Sequence, residues 1–273
     1  MICQKTKLPA YKVVLLLCLF SFSSYSQEAA KLFHEKYSKI SIVFQPSILK
    51  KSAAYNNDGS RYPSMNFVED FSYQFGIYYN FAQSGSFNFK TGIIAKEFVP
   101  KFDLNIANDD VFVGSDYLLT DYDPYNQFII AIPFKTDYFL KINTKLNLVV
   151  GVGLSLNLIT GTDTEVNTSI VVTSPSNTQQ KTIFRASSNN SASINLSTEY
   201  SFGVNYKTNF ALIDVSFFNN NSVFPDYVNG QYEIINLNNS PNKQGFFDIR
   251  NNFYGLSLSV SPKKGWLKRK SKK

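Results

Sequence analysis

Leu146, Leu148, Val150, Val152, Leu154, Leu156 and Leu158 are all apolar, and the residues between them, Asn147, Val149, Gly151, Gly153, Ser155 and Asn157, are mostly polar or small. The same two-residue alternation returns in Ile194-Leu196-Thr198-Tyr200-Phe202-Val204-Tyr206, in Tyr254-Leu256-Leu258-Val260 and in Phe71-Tyr73-Phe75-Ile77-Tyr79-Phe81. A strand sends alternate side chains to opposite faces, so each segment offers one face to hydrocarbon and the other to a polar interior. Runs of about ten such residues are the mark of a transmembrane barrel. The strands of a soluble sandwich alternate too, so the choice between the two rests on further features.

The pattern predicts eight strands, at 38–49, 70–82, 86–98, 127–140, 145–159, 191–206, 209–219 and 252–262. Their connections take turns in length: short near 83–85, 142–144 and 207–208, long at 50–69, 99–126, 160–190 and 220–251. Barrels of the outer membrane have short periplasmic turns and long external loops, and an even strand number returns both termini to the periplasmic rim. The fold class expected is all-β, a transmembrane antiparallel up-and-down β-barrel of eight strands. Pro133 lacks the N–H of a ladder donor, and is expected to mark a bulge or irregularity.

Lys5, Lys7 and Lys12 before the apolar run Val13 to Phe20, then Ser21 to Gln27, have the three-part form of a secretory signal. The chain therefore divides into a signal peptide 1–26, a short periplasmic segment 27–37, an outer-membrane barrel 38–262 and a basic periplasmic tail 263–273. Both cysteines, Cys3 and Cys18, leave with the signal, which removes thiolate catalysis and cysteine metal sites from the mature chain. The 25 Phe and 17 Tyr residues supply candidates for interfacial girdles, among them Tyr78, Tyr79, Phe81, Phe87, Phe89, Tyr138, Phe139, Tyr206, Phe210, Phe217 and Phe218.

Charges within the strands are few. Lys90, Lys135, Asp137, Glu199 and Asp214 fall on the face opposite the lipid series and are expected to form a polar network inside the lumen. An eight-stranded barrel is wide enough only for side chains to fill, so these groups need partners across it. Closed, the network is a stabilising plug; open, it is an ion path through Lys135 and Glu199. Asp121, Asp123 and Asn126 carry oxygen ligands suited to a hard cation, without the spacing of a twelve-residue calcium loop, so a solvated acidic loop is the plainer reading.

The single histidine, His34, precedes the first strand and lies far in sequence from any strand-borne nucleophile, so an enzyme is not expected. No cofactor or metal is expected either. The formal charge of +7 does not signal nucleic acid, because three of the positive charges belong to the signal and seven to Lys263, Lys264, Lys268, Arg269, Lys270, Lys272 and Lys273 in the tail. That tail is an electrostatic handle for anionic headgroups, with Trp266 and Leu267 at the interface, or for an acidic periplasmic partner.

The signal end Ser24-Tyr25-Ser26-Gln27, the segment Ile130-Ala131-Ile132-Pro133-Phe134-Lys135 and the strand Leu148 to Leu154 resemble the outer-membrane β-barrel proteins of Bacteroidetes, the broad PorT-like group. The resemblance implies an integral outer-membrane location with periplasmic termini and insertion by the barrel-assembly machinery. Some relatives take part in protein secretion and gliding. A basic tail after the last strand departs from barrels that end on a terminal aromatic. The expected function is a non-enzymatic barrel serving as a secretion or assembly accessory, with a periplasmic or secretion-system protein as partner, or as a surface-binding scaffold. The alternative is a narrow passive pore.

Overall fold

The computed structural model describes residues 36–61, 65–111, 117–122, 127–159, 164–174, 177–189, 193–223, 228–238 and 241–265. Eight long strands close into one antiparallel barrel: β1 (Ile40–Leu49), β4 (Asp70–Ser84), β5 (Phe87–Phe98), β8 (Gln127–Lys141), β9 (Leu146–Ile159), β12 (Ser193–Lys207), β13 (Ala211–Ser222) and β16 (Phe253–Pro262). Each pairs with the next along the chain, and β1 closes the ring on β16 through Ile42↔Val260 to Leu49↔Phe253. All eight predicted strands are present, each within a few residues of its expected ends.

The alternation explains why the ladder closes in this register. The apolar series of β4, β9 and β12 faces outward, with Phe71, Phe75, Val152, Leu154, Tyr200 and Phe202 all exposed. Ser72, Gln74, Asn147, Ser155, Asn157, Ser197 and Ser201 are buried inside. An exposed apolar band around a buried polar interior inverts the usual order of a soluble protein and is the arrangement of a transmembrane barrel.

Pro133 does not produce a bulge. The β5–β8 ladder pauses between Thr91↔Phe134 and Ile94↔Ala131 and resumes in the same register, because the imide nitrogen simply leaves one bond unmade. The register shift falls instead in the β4–β5 hairpin, between Asn80 and Ala82. The aromatic girdle also divides. Tyr79, Phe81, Tyr206, Phe210 and Phe217 are exposed; Tyr78, Phe139 and Phe218 are buried in the interior, and Tyr138, on the outward face, is covered by Phe87 at 4.9 Å between ring centroids.

The long connections hold a second layer of structure that the alternation did not predict. β2 (Ala53–Asn56), β10 (Thr164–Ser174), β11 (Asn177–Asn189), β14 (Val228–Ile234) and β15 (Lys243–Ile249) form a five-stranded sheet in the order β10-β11-β14-β15-β2. β3 (Met65–Phe67), β6 (Phe102–Ile106) and β7 (Tyr117–Tyr122) form a three-stranded one, with a four-residue helix, α1 (Asn108–Val111), between β6 and β7.

The inner faces of both sheets share one apolar core with the top of the barrel, in which Phe67 meets Phe247 at 6.1 Å and Phe102 meets Phe184 at 6.4 Å between ring centroids. Lys243 at the start of β15 reaches Asp110 of α1 at 2.5 Å, which ties the helix between β6 and β7 to the five-stranded sheet. Leu49, Phe98, Ile129, Phe218 and Phe253 of the barrel strands complete this core. The long-connection mouth is therefore covered by a folded cap.

Candidate functional site

The barrel interior is filled in layers. Nearest the short turns, Ser41 and Ser261 hydroxyls lie 2.6 Å apart, Asn88 donates to Asn80 at 2.8 Å, and Asn147 donates to Asn205 at 3.2 Å. Above them, Lys90 pairs with Asp137 at 2.5 Å and Lys135 with Glu199, all four side chains buried. Tyr78 stands between the pairs, with the Lys90 ammonium 4.7 Å and that of Lys135 5.5 Å from its ring centroid. A cation over an aromatic face gains from the ring quadrupole, more so where water is excluded. Higher still, Gln45 donates to Ser257, Gln74 to Ser47, Lys96 to Asn157, and Asn157 and Asn220 to Ser197.

All five predicted lumen residues face inward. Lys90, Lys135, Asp137 and Glu199 form the two ion pairs, and Asp214 accepts a hydrogen bond from the Ser216 hydroxyl at 3.4 Å and lines the same space. The room left among Lys90, Asp137, Asp214, Asn205 and Ser259 is about 20 Å³, the space of a single water.

Tyr78 and Lys96 were missed, although parity alone finds them: Tyr78 shares its face with Ser72, Gln74 and Asn80, and Lys96 shares its own with Lys90. Gly151 and Gly153 on β9 make the network possible. A Cβ at Gly151 meets Ser201 Oγ at 2.3 Å and Asp137 Oδ1 at 2.7 Å, and one at Gly153 meets Lys135 Cγ at 2.6 Å.

Of the suggested cation loop, Asp121 belongs to β7 by its backbone, while Asp123 and Asn126 lie outside the described residues. Among the described residues, no three His, Cys, Asp or Glu side chains gather as a metal-binding group. The predicted signal, His34, and the tail residues Lys268, Arg269 and Lys270 also lie outside the described residues. Lys263 and Lys264 extend the barrel ladder: Tyr37 bridges to Lys263, and the Lys264 N–H donates to the Lys36 carbonyl at 2.9 Å.

A second site lies on the solvent face of the five-stranded sheet, where two adjoining clefts of about 390 and 650 Å³ share Ser187, Gln231 and Phe246. Cross-strand pairing sets Arg185, Glu233 and Gln244 in one row and Ser187, Gln231, Phe246 and Tyr55 in the next. Phe246 is 43% exposed, with its ring stacked on Tyr55 at 5.3 Å, amid side chains that are otherwise polar. Hydrogen bonds from the Asn242 and Gln244 amides, both at 3.0 Å, hold the Glu233 carboxyl below the usual carboxylate range.

No protein-family model matches the chain, and no curated protein does. Among solved structures it is similar to Neisserial surface protein A, at 13% identity over 83% of this chain and 97% of that one, with a TM-score of 0.37. It is also similar to the outer membrane protein OprG from Pseudomonas aeruginosa (10%, 82% and 96%, TM-score 0.40) and to the outer membrane protease OmpT from Escherichia coli (9%, 83% and 97%, TM-score 0.35). These likenesses are to outer-membrane barrels in general and do not single out the PorT-like group. They are too distant to carry an activity across, and the fold assignment rests on the strand ladder itself.

Proposed function

We propose that this chain is a non-enzymatic outer-membrane barrel that serves as a sealed scaffold, with its long-connection end outward and a folded cap that binds a ligand at the cell surface. The observation that carries this reading is a contrast in the same molecule. The lumen is filled by ion pairs and hydrogen bonds and then covered by an apolar core, while the cap keeps an open cleft with an exposed aromatic stack. A passive pore finds little support in a lumen whose free space in the charged layer is about 20 Å³.

The cleft chemistry suits a saccharide. An aromatic ring stacks on the C–H face of a sugar, and Gln231, Asn229, Gln244 and Arg185 offer planar donors and acceptors to its hydroxyls. Membership of the PorT-like group and a secretion-accessory role through the tail belong to the same proposal, since a scaffold fixed in the membrane can hold a periplasmic partner at its other end.

The test is binding of the purified protein to a panel of immobilised glycans, beside planar-bilayer conductance. Glycan binding lost in Phe246→Ala, without conductance, supports the scaffold; reproducible conductance, or a glycan panel with no binding, sinks it.

A further inference from the structure

We propose that the short-turn mouth of the barrel is a receptor for an acidic peptide segment of a periplasmic protein. The strand register turns four lysines toward the inside of that mouth. Residues opposite one another in an antiparallel pair lie on one face of the sheet. Lys141 stands opposite Asn147, Lys207 opposite Leu212 and Lys263 opposite Tyr37, and each of these partners is buried in the interior. Lys39 shares its face with the buried Ser41, and its carbonyl accepts from the Asn80 backbone N–H at 2.7 Å and from the Asn80 side-chain amide at 3.0 Å. Lys39, Lys141 and Lys263 are exposed and Lys207 is half-buried, so the four line an open basin. Its floor is the lowest hydrogen-bonded layer of the lumen, with Ser41 on Ser261, Asn88 on Asn80 and Asn147 on Asn205.

Among the described residues this mouth has no carboxylate. Asp137 and Asp214 lie deeper, where Lys90 holds the first and the Ser216 hydroxyl the second. The polar side chains of the turns are spent locally: Asn143 Oδ1 accepts from the N–H groups of Lys145 and Leu146, and Thr208 Oγ1 from those of Phe210 and Ala211. Lys141 and Lys36 stand near enough to Lys207 for their charges to oppose its own. The opposite end of the barrel carries both signs, with Lys101 and Asp70 paired at 3.1 Å, so the excess positive charge is a property of this mouth. Like charges gathered over a low-dielectric wall raise the local potential and draw in an anion.

The neutral groups of the same mouth decide for a peptide. The β4–β5 hairpin has no basic residue, but Gln83 Nε2 and Ser86 Oγ are buried there without a hydrogen-bond partner, as is Asn147 Oδ1 on β9. Gln83 faces inward, because it pairs across the hairpin with the buried Asn88. Unmet donors and an unmet acceptor in one mouth suit a ligand that carries both kinds of group. A peptide brings carboxylates for the lysines, carbonyls for Gln83 and Ser86, and an N–H for Asn147, whereas a simple inorganic anion brings acceptors alone. The four lysines stand on the walls of β1, β8, β12 and β16, so several carboxylates of one segment can be met together. The basin is blind, since the charged layer above it leaves about 20 Å³, and the segment docks there without passing through. This inference rests on the reading, made above, of the short-turn end as periplasmic.

The experiment is fluorescence anisotropy of labelled hexaglutamate and hexaglutamine peptides with the full chain in a neutral detergent. The background carries Gln in place of Lys268, Arg269, Lys270, Lys272 and Lys273, so that the basic tail takes no part. The expected result is hexaglutamate binding at least about tenfold tighter than hexaglutamine at about 50 mM salt, weakening as added salt screens the charges. That preference is expected to vanish when Lys39, Lys141, Lys207 and Lys263 are all changed to Gln and to survive their change to Arg, with the heat-shifted gel band as the control for a folded barrel. Equal binding of the two peptides overturns the proposal. So does a preference that outlives the Gln substitutions, or displacement of hexaglutamate by an equal concentration of inorganic phosphate. Glycan binding and conductance, measured on the same preparations, show separately whether the scaffold reading has failed.

Discussion

Glu199→Gln isolates the central ion pair. The substitution keeps the shape of the side chain and removes its charge, which leaves the Lys135 ammonium buried without its carboxylate. Removing one partner of a buried pair costs about 3–5 kcal/mol. The lower end applies here, because Asp137 also attracts Lys135 and the Tyr78 ring still faces it at 5.5 Å. With a urea slope of roughly 2 kcal/mol per molar, a loss of about 3 kcal/mol lowers the unfolding midpoint by about 1.5 M. The assay is urea unfolding of the protein in lipid vesicles, followed by far-ultraviolet circular dichroism and by loss of the heat-shifted gel band. The double variant Lys135→Met with Glu199→Leu fills the same space without charge, and is expected within about 1 kcal/mol of wild type or above it. The reasoning is refuted if Glu199→Gln unfolds at the wild-type midpoint, or if the double variant is as unstable as the single one.

Gly151→Val drives a branched side chain into Ser201 Oγ and Asp137 Oδ1, and overpacking of this kind costs about 1–3 kcal/mol, read by the same unfolding curve. Val152→Arg, one residue on and facing lipid, is expected to cost about 2–4 kcal/mol if it lies near the bilayer midplane, whereas Ile142→Arg at the short-turn rim costs about 0–1 kcal/mol. Glu233 has a folded-state pKa below its unfolded value, so its contribution to the cap is present above the unfolded value and lost as pH falls through the folded one. Protection of the β14 and β15 amides, taken relative to the intrinsic exchange rate at each pH, is therefore expected to fall slightly as pH drops below the ordinary carboxylate value of about 4.3, and Glu233→Gln removes that dependence. The effect is small because the group is exposed.

The eight barrel strands were legible because lipid and lumen impose opposite demands on neighbouring residues, and a period of two records both. The same parity turned the five lumen charges inward. Read strictly, it also places Tyr78 inside: within Phe71 to Phe81 it is the one aromatic on the Ser72-Gln74-Asn80 face, and its burial between two lysines follows from position. Composition pulled the other way, since a tyrosine near a strand end resembles a girdle residue. Where the two signals disagree in a barrel strand, parity governs, because a one-residue slip would move the whole row of side chains to the wrong face.

The cap was illegible for the converse reason. β2 and β3 are only four and three residues long, too short to display a period, and β14 and β15 place Gly230 and Gly245 where an alternating apolar side chain is expected. Those glycines make room on the inner face. A Cβ at Gly230 falls on the Phe247 ring and one at Gly245 on the Tyr232 ring, so each large aromatic packs over a neighbour with no side chain. The apolar stripe is thereby interrupted in both strands, which breaks the period a pattern search requires. With the inner face settled by Phe247 and Tyr232, the outer face of the same strands is free of packing demands, and an exposed Phe246 beside Tyr55 has no structural reason in the core. The stack is a cross-strand aromatic pair that stabilises the sheet and stays open to solvent on a polar face, and it is this open pair, beside a filled lumen, on which the proposal of a cleft ligand rests.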